Sequence, residues 1–187
     1  MTAPIRIDGF EAVFARTEDP WGTYERRDEA VKRQAILRAC GGRSGRALEL
    51  ACGNGSNTRA LARRSLRLLA LDGAPSAVAI TRRRAGGPRV AIGEALLPDG
   101  APRGAFDLIV IAEVLYYLSD REIARLGRRL GLARGGRLVL AHHHVDFPDT
   151  SSRPAACHRT LVRAMPPLER VAARRTGRWR VEAFTPR

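Results

Sequence analysis

The residues best suited to chemistry in this chain lie between Arg46 and Thr58. There an apolar run holding one carboxylate, Ala47-Leu48-Glu49-Leu50-Ala51, leads into Cys52-Gly53-Asn54-Gly55-Ser56. Glycine has no Cβ, so such a turn takes backbone angles closed to other residues and lets its amides lie against a ligand. A strand that ends in a glycine turn and reopens as a helix is where an open α/β sheet receives a nucleotide. The next apolar run, Leu66 to Leu71, ends in Asp72, and a carboxylate there can accept hydrogen bonds from both hydroxyls of a ribose. A dinucleotide fingerprint wants a third glycine three residues after Gly55; that position is Thr58, which argues against NAD. Further polar groups close later apolar runs: Glu94 with Ala95, Glu113 with Val114, and His142-His143-His144.

Apolar periodicity supplies the elements that must carry these groups. Glu25 to Cys40 reads as an amphipathic helix stopped by Gly41-Gly42, Arg46 to Ala51 as a strand, Ser56 to Arg64 as a helix and Leu66 to Asp72 as a second strand. Pro75 opens a helix to about Arg84, followed by a short strand from Arg89 to Gly93 and a continuous apolar strand from Phe106 to Ala112. Asp120 to Leu132 is helical in pattern, and Arg137 to Ala141 is the fifth strand. A loop rich in His, Pro and Ser runs to about Ala156; a helix from Cys157 to Met165 and strands from Arg170 to Thr176 and Arg178 to Phe184 complete the chain. The alternation predicts an α/β, Rossmann-like fold: a seven-stranded, mostly parallel sheet with helices on both faces. In such a sheet the ligand lies beyond the carboxyl ends of the strands, where the polar groups above fall.

The pattern Glu49-x-x-x-Gly53-x-Gly55 resembles motif I of the class I S-adenosylmethionine (SAM) methyltransferases. More of the chain resembles one family of them, the NodS-like methyltransferases, whose best known members N-methylate a glucosamine-type amine in rhizobial nodulation-factor synthesis. The likeness rests on Phe14-Ala15, Asp19-Pro20-Trp21, Tyr24-Glu25-Arg26-Arg27 and Glu113-Val114-Leu115-Tyr116-Tyr117-Leu118, and extends loosely to His142 and His158. It departs at Gly73, where a bulkier residue is common, at Glu94, where aspartate is more usual, and from His143 to Ala156.

The resemblance implies SAM as cofactor, with S-adenosylhomocysteine (SAH) as product. It implies cofactor contacts from Trp21, Arg27, Glu49, Ala51, Gly53, Asn54, Gly55, Asp72, Gly73, Glu94, Ala95, Glu113 and Val114. Residues 1–24 would form a lid, Trp21 covering the cofactor and the Arg27 fork pairing with its methionyl carboxylate. Tyr24, Tyr116, Tyr117, His142 and His143 would line an acceptor pocket closed by residues 143–156. An amine must lose a proton before it attacks, so Glu113, His142 and His158 are the candidate bases. Glu113 could instead hold the acceptor ammonium by charge.

Plainer readings stand beside these. Glu49 could be a carboxylate bonded to local amides, Asp72 a cap before Pro75, Trp21 and the tyrosines part of the core, and Arg26 could take the place of Arg27. Consecutive strand residues point to opposite faces, so the three histidines are not expected to chelate a metal together.

Composition frames the rest. With 187 residues and 44% hydrophobic content the chain suits one domain spanning 1–187. The formal charge of +14 invites a polyanion, yet Lys32 is the only lysine and the arginines occur in short scattered groups, Arg63-Arg64, Arg82-Arg83-Arg84, Arg128-Arg129 and Arg174-Arg175, mostly near predicted helix ends. Solvated surface explains them better than a nucleic-acid patch. There is no Asn/Asp-Pro-Pro-aromatic motif of amino-methylating nucleic-acid enzymes. The expected acceptor is a small molecule, an amine or aminosugar, with O-methylation or a nucleic-acid substrate as alternatives. The N-terminus shows no signal-like segment, no apolar run spans a bilayer, and Cys40, Cys52 and Cys157 lack metal or redox spacing. These features lead us to expect a cytoplasmic protein, monomer or homodimer, with reduced cysteines.

Overall fold

The computed structural model describes residues 6–144 and 154–187. Its elements in chain order are α1 (Ile7–Arg16), α2 (Arg27–Ala39), β1 (Ser44–Leu50), α3 (Ser56–Ala62), β2 (Ser65–Asp72), α4 (Pro75–Ala85), β3 (Val90–Glu94), β4 (Ala105–Ala112), a 3-10 turn (Leu115–Tyr117), α5 (Asp120–Arg129), β5 (Gly131–His143), α6 (Pro154–Ala164), β6 (Leu168–Arg175) and β7 (Trp179–Pro186). The strands form one seven-stranded sheet in the order β3-β2-β1-β4-β5-β7-β6. The first five strands are mutually parallel, and β7 pairs antiparallel with both β5 and β6. The expected Rossmann-like α/β sheet, mostly parallel, is therefore present. Its winding reverses at β1: the chain passes outward through β2 and β3, then returns to place β4 on the other side. The crevice between the carboxyl ends of β1 and β4 is thus the switch point at which open sheets bind ligands.

Successive strand residues face opposite sides, so each inner strand feeds two cores. On one side Leu48, Leu50, Ile109, Ile111, Leu138 and Leu140 pack with Ile123 and Leu126 of α5 and Leu161 of α6. On the other, Val110, Val139, Ala141 and Val181 pack with Ile36 of α2 and Leu61 of α3. A third cluster joins Phe14 of α1 to Ala74, Ala77 and Ile80 around α4. The helices have local reasons to start where they do. Pro75 opens α4 with its fixed φ, and α5 begins in a capping box in which Glu122 accepts from the Ser119 amide and Ser119 from the Glu122 amide.

Two differences from the sequence pattern matter. Residues 7–16 form a helix where the pattern marks none; Ile7, Phe10 and Phe14 recur on one face of α1, but the run is short and holds Gly9. And α5 ends at Arg129, not at Leu132. Gly131 comes so close to the Gly104 carbonyl that a Cβ there would lie 2.9 Å from it, and Leu132 pairs with Phe106, so the sheet captures residues that periodicity assigns to the helix. A bulge between Phe106 and Leu108 then restores the register into Arg137–His143.

Several arginines read as solvated surface have defined structural partners. Arg64 and Arg137 donate to the Leu37 and Ala39 carbonyls at the C-terminus of α2, while Arg83 and Arg84 pair with Glu18. Arg174 and Arg175 lie on β6, away from any helix end. The three cysteines are free and buried, and burial pushes the Cys40 and Cys157 thiols up to about 12. Among the described residues no helix is long and apolar enough to cross a membrane.

Candidate functional site

The glycine turn is held from three directions. Gly55 has φ +82°, and a Cβ there would stand 3.1 Å from the Thr81 side chain and 3.3 Å from its Cα, so glycine is required for both angle and space. Thr81 Oγ1 donates to the Gly53 carbonyl at 2.7 Å. Asp72 accepts from the Gly53 amide (2.8 Å) and the Ala74 amide (3.0 Å), fastening the end of β2 to the turn. Ala51 and Glu113, which follow adjacent strands β1 and β4, both have positive φ, 57° and 59°. Non-glycine residues adopt such angles at a cost, and these two flank the crevice at the switch point.

Two carboxyls are buried here. Glu49 is 2% exposed and accepts from Thr58 Oγ1 at 2.6 Å; burial pushes its carboxyl up to about 8. Burial likewise raises the Asp72 carboxyl, against the opposing pull of its amide partners. A ligand offering a cation or hydroxyls would relieve that penalty.

The segment before α2 closes over the turn. Asn54 Nδ2 donates to Asp19 Oδ1 at 2.8 Å and to the Glu18 carbonyl at 3.2 Å, and Asp19 also takes the Thr23 and Tyr24 amides. Burial opposes the charge on Asp19, but these hydrogen bonds hold its carboxyl below the ordinary range. Helix α1 is latched by Glu11, which accepts from the amide and hydroxyl of Ser76 at the start of α4. Gly73, a departure from the family pattern, finds its reason here: a Cβ would lie 2.7 Å from Ile7 Cδ1, so the missing side chain makes room for α1. Trp21 packs edge-on against Phe14 with centroids 5.3 Å apart, and Phe10 meets Tyr117 in the same manner at 4.8 Å. Trp21 remains 44% exposed and belongs to this aromatic cluster, not to a deep core. Arg27, the first residue of α2, is exposed, whereas Arg26 is paired with Asp28 at 2.9 Å.

At β3 the Ala95 amide donates to the Asp72 carbonyl at 2.8 Å and extends the ladder past Glu94. Glu94 is exposed beside Asp72, its register partner, and Val114 is packed against the core next to the 3-10 turn.

At the ends of β4 and β5 the histidines separate. His143 lies on the α2 side, between Glu113 (Nδ1 to Oε1, 2.8 Å) and Glu29 (Nε2 to Oε1, 3.1 Å). Lys32 joins the same group, its Nζ 2.7 Å from Glu113 and 2.9 Å from Glu29. The other Glu113 oxygen accepts from the Tyr116 hydroxyl (2.8 Å) and the His143 amide (3.0 Å). Burial favours a neutral Glu113, but the hydrogen bond from His143 and the charge of Lys32 outweigh it and hold the carboxyl near 2. Burial also opposes charge on His143, yet its two carboxylate partners raise it to about 9. Glu113 is therefore a saturated carboxylate and His143 an imidazolium, which makes both poor bases; Tyr116 is buried and serves as a donor to Glu113. Sequence reasoning missed Lys32 and Glu29. The signal was present, since Lys32 is the one lysine in a chain whose other cations are arginine.

His142 lies on the opposite face, 3% exposed, its Nδ1 2.7 Å from His158 Nε2. His158 Nδ1 is in turn 2.8 Å from Glu182 Oε2. Tyr24 is partly buried near the turn, its hydroxyl 3.4 Å from the Asn54 carbonyl. Of the acceptor loop expected at 143–156, residues 145–153 lie outside the described residues, as do residues 1–5 of the lid.

A family model described as Nodulation protein S (NodS) matches residues 13–132. Nodulation protein S of Rhizobium tropici is 35% identical over 152 residues, covering 76% of this chain and 58% of that protein. The protein of the same name from Sinorhizobium fredii (strain NBRC 101917 / NGR234) is 37% identical over 106 residues, 55% of this chain and 49% of its own. The matched region thus spans about half the length of these curated relatives. Among solved structures, N-methyltransferase NodS from Bradyrhizobium japonicum WM9, in complex with SAH, superposes with a TM-score of 0.75 at 24% identity over 96% of this chain and 97% of that one.

Proposed function

This chain belongs to the NodS (Nodulation protein S) family, and from that premise we propose that it is a SAM-dependent N-methyltransferase acting on the amine of a small molecule, an aminosugar or related intermediate. The observation that carries the reading is the glycine turn gripped by Asp72, with buried Glu49 behind it, at the switch point of the sheet. The B. japonicum neighbour, an N-methyltransferase in complex with SAH, supports the same cofactor. The chain would act in the cytosol as one domain.

The residues fit the cofactor. Asp72 would take the ribose hydroxyls, and the Gly53–Gly55 amides would lie against the rest of the nucleoside. Glu49, a buried carboxylate whose partner is a neutral hydroxyl, has room in its electrostatics for the methionyl ammonium. Arg27 is free to reach the methionyl carboxylate, because Arg26 is committed to Asp28. Bound SAM supplies an activated methyl group on a sulfonium with a good leaving group. What remains for the chain is alignment and exclusion of water, and alignment alone is worth about 7–11 kcal/mol. The latched segment of α1, Trp21 and Asn54 would supply the exclusion; Glu113, whose oxygens already serve Lys32, His143 and Tyr116, would stiffen the crevice wall and not hold the acceptor cation once expected of it.

Calorimetric titration with SAH tests the reading. Micromolar binding, with methyl transfer to D-glucosamine or another small amine, is the expected result; no binding by the folded protein would overturn it.

A further inference from the structure

Glu182 of β7, His158 of α6 and His142 of β5 are brought together from three elements into one continuous, buried hydrogen-bonded line: 2.8 Å from Glu182 Oε2 to His158 Nδ1 and 2.7 Å from His158 Nε2 to His142 Nδ1. All three residues are 4% exposed or less. At the far end, His142 Nε2 is buried and has no hydrogen-bond partner among the described residues. A buried polar atom left unpaired is costly and calls for an explanation. His142 follows Ala141, the register partner of Ala112, and so stands beside Glu113 at the crevice where transfer is proposed.

Given the N-methyltransferase reading above, on which this inference rests, we propose that Glu182, His158 and His142 form a proton relay. In it His142 Nε2 is the base that takes the proton of the acceptor ammonium, and Glu182 is the positioning residue that sets both tautomers.

The direction follows from donor and acceptor counting. A carboxylate only accepts, so His158 carries its proton on Nδ1 and presents Nε2 as a lone pair. His142 must then donate from Nδ1, which leaves Nε2 with a lone pair and no partner among the described residues. Glu182 is kept ionised: burial would raise it, but His158 and the Arg170 guanidinium, 2.9 Å from its other oxygen, hold it near 2. The proton balance is simple. The ammonium R–NH3+ gives one proton to His142 Nε2, the Nδ1 proton moves to His158 Nε2, and the positive charge comes to rest on His158 against Glu182. The freed amine then attacks the methyl carbon as the carbon–sulfur bond breaks. Burial and the neighbouring His158 hold the conjugate acid of His142 near 3, and the transfer moves the charge to His158, whose imidazole burial also lowers but where the Glu182 carboxylate opposes that penalty. The charge need not stay on the His142 ring. Its charged or titratable surroundings are His158 on α6, Arg180 on β7, Glu113 after β4, and His144, whose ring is 5.8 Å away; Glu182 and Arg170 stand behind His158. His144 Nε2 is also unpaired, but no carboxylate stands behind that ring among its described contacts.

The chain has four histidines, so long-range nitrogen–proton spectra of uniformly labelled protein can resolve each ring. At pH 7 both His142 and His158 should be neutral with the proton on Nδ1, and Glu182→Gln should mix the tautomers of both. A proton on His142 Nε2 in the wild type, or tautomers unmoved by Glu182→Gln, would overturn the relay, and no acceptor is needed for this reading. With SAM and D-glucosamine, His142→Gln should lower kcat by about 100-fold or more while SAH affinity stays within about two-fold. Glu182→Gln should lower kcat about ten-fold and shift its pH profile. A His142→Gln variant with undiminished kcat would sink the base role. SAH titrations on the same samples separate the two ideas. A chain with the expected tautomers that binds no SAH defeats the transferase reading and the base role with it, whereas SAH binding with a proton on Nε2 defeats the relay alone.

Discussion

Lys32 Nζ and Glu113 Oε1 stand 2.7 Å apart, joining the middle of α2 to the strained residue after β4 across 81 positions of sequence. The pair couples the helix that follows the lid to the crevice at the switch point. It also explains how Glu113 keeps φ 59°: both of its oxygens are held by donors from α2, β5 and the 3-10 turn, so the surroundings over-determine the conformation.

Lys32→Met should destabilise the protein by about 3–5 kcal/mol, because it leaves the buried Glu29 and the part-buried Glu113 without their ammonium. Urea denaturation followed by circular dichroism measures this; a loss below about 1 kcal/mol would mean that water replaces the lysine without penalty.

The same cluster predicts a pH profile. Glu113, lowered from 4.5 to about 2, contributes stability that is complete above pH 4.5 and lost as pH falls through 2. His143, raised from 6.5 to about 9, contributes stability that is complete below pH 6.5 and lost as pH rises through 9. The joint contribution is therefore greatest between pH 4.5 and 6.5. Urea midpoints should fall between pH 6.5 and 9 in the wild type, and His143→Gln should flatten that limb; equal slopes in the two proteins would show that His143 is not the charged group.

For Asp72→Asn the expected outcome is a loss of SAH affinity of about 10- to 100-fold, the worth of charge-assisted hydrogen bonds to a ribose, with the far-ultraviolet spectrum unchanged. Retained affinity in calorimetry would move the ribose elsewhere.

Asn54→Ala should release residues 18–24, since its amide holds both Asp19 and the Glu18 carbonyl. We expect a stability loss of about 1–3 kcal/mol and faster tryptic cleavage at Arg16 or Arg26. Cleavage at the wild-type rate would place the closure of this segment in Glu11–Ser76 and Arg84–Glu18 instead.

The groups proposed to bind the cofactor were legible to the extent that they are local. Glu49, Gly53, Gly55 and Asp72 lie within one strand–turn–helix–strand stretch, whose wording carries both its backbone angles and its place in the sheet. Helix α1 was not legible, because ten residues interrupted by glycine make a weak signal until Phe14 finds Ala74 and Ile80. The end of α5 was misread for a related reason: Leu130 and Leu132 continue a helical pattern, but the backbone of Gly104 and Ala105 competes for the chain.

By itself the amino-acid sequence determined the order of strands and helices from α2 onward, the nucleotide-type turn, the kinship with NodS and the division of His142 from His143 onto opposite faces. All of these follow from spacing along the chain, since a strand alternates every residue and a turn is built from neighbours. Tertiary structure alone decided which titratable groups meet. Lys32 finds Glu113 at 81 residues' separation and His158 finds Glu182 at 24, and neither pairing has a period to betray it. Those meetings set charge, because a carboxyl or imidazole takes its protonation state from the partner beside it and the water excluded around it. So the sequence named three candidate bases, and the fold spent Glu113 on Lys32, His143 and Tyr116 and left His142 with an unpaired nitrogen and His158 behind it.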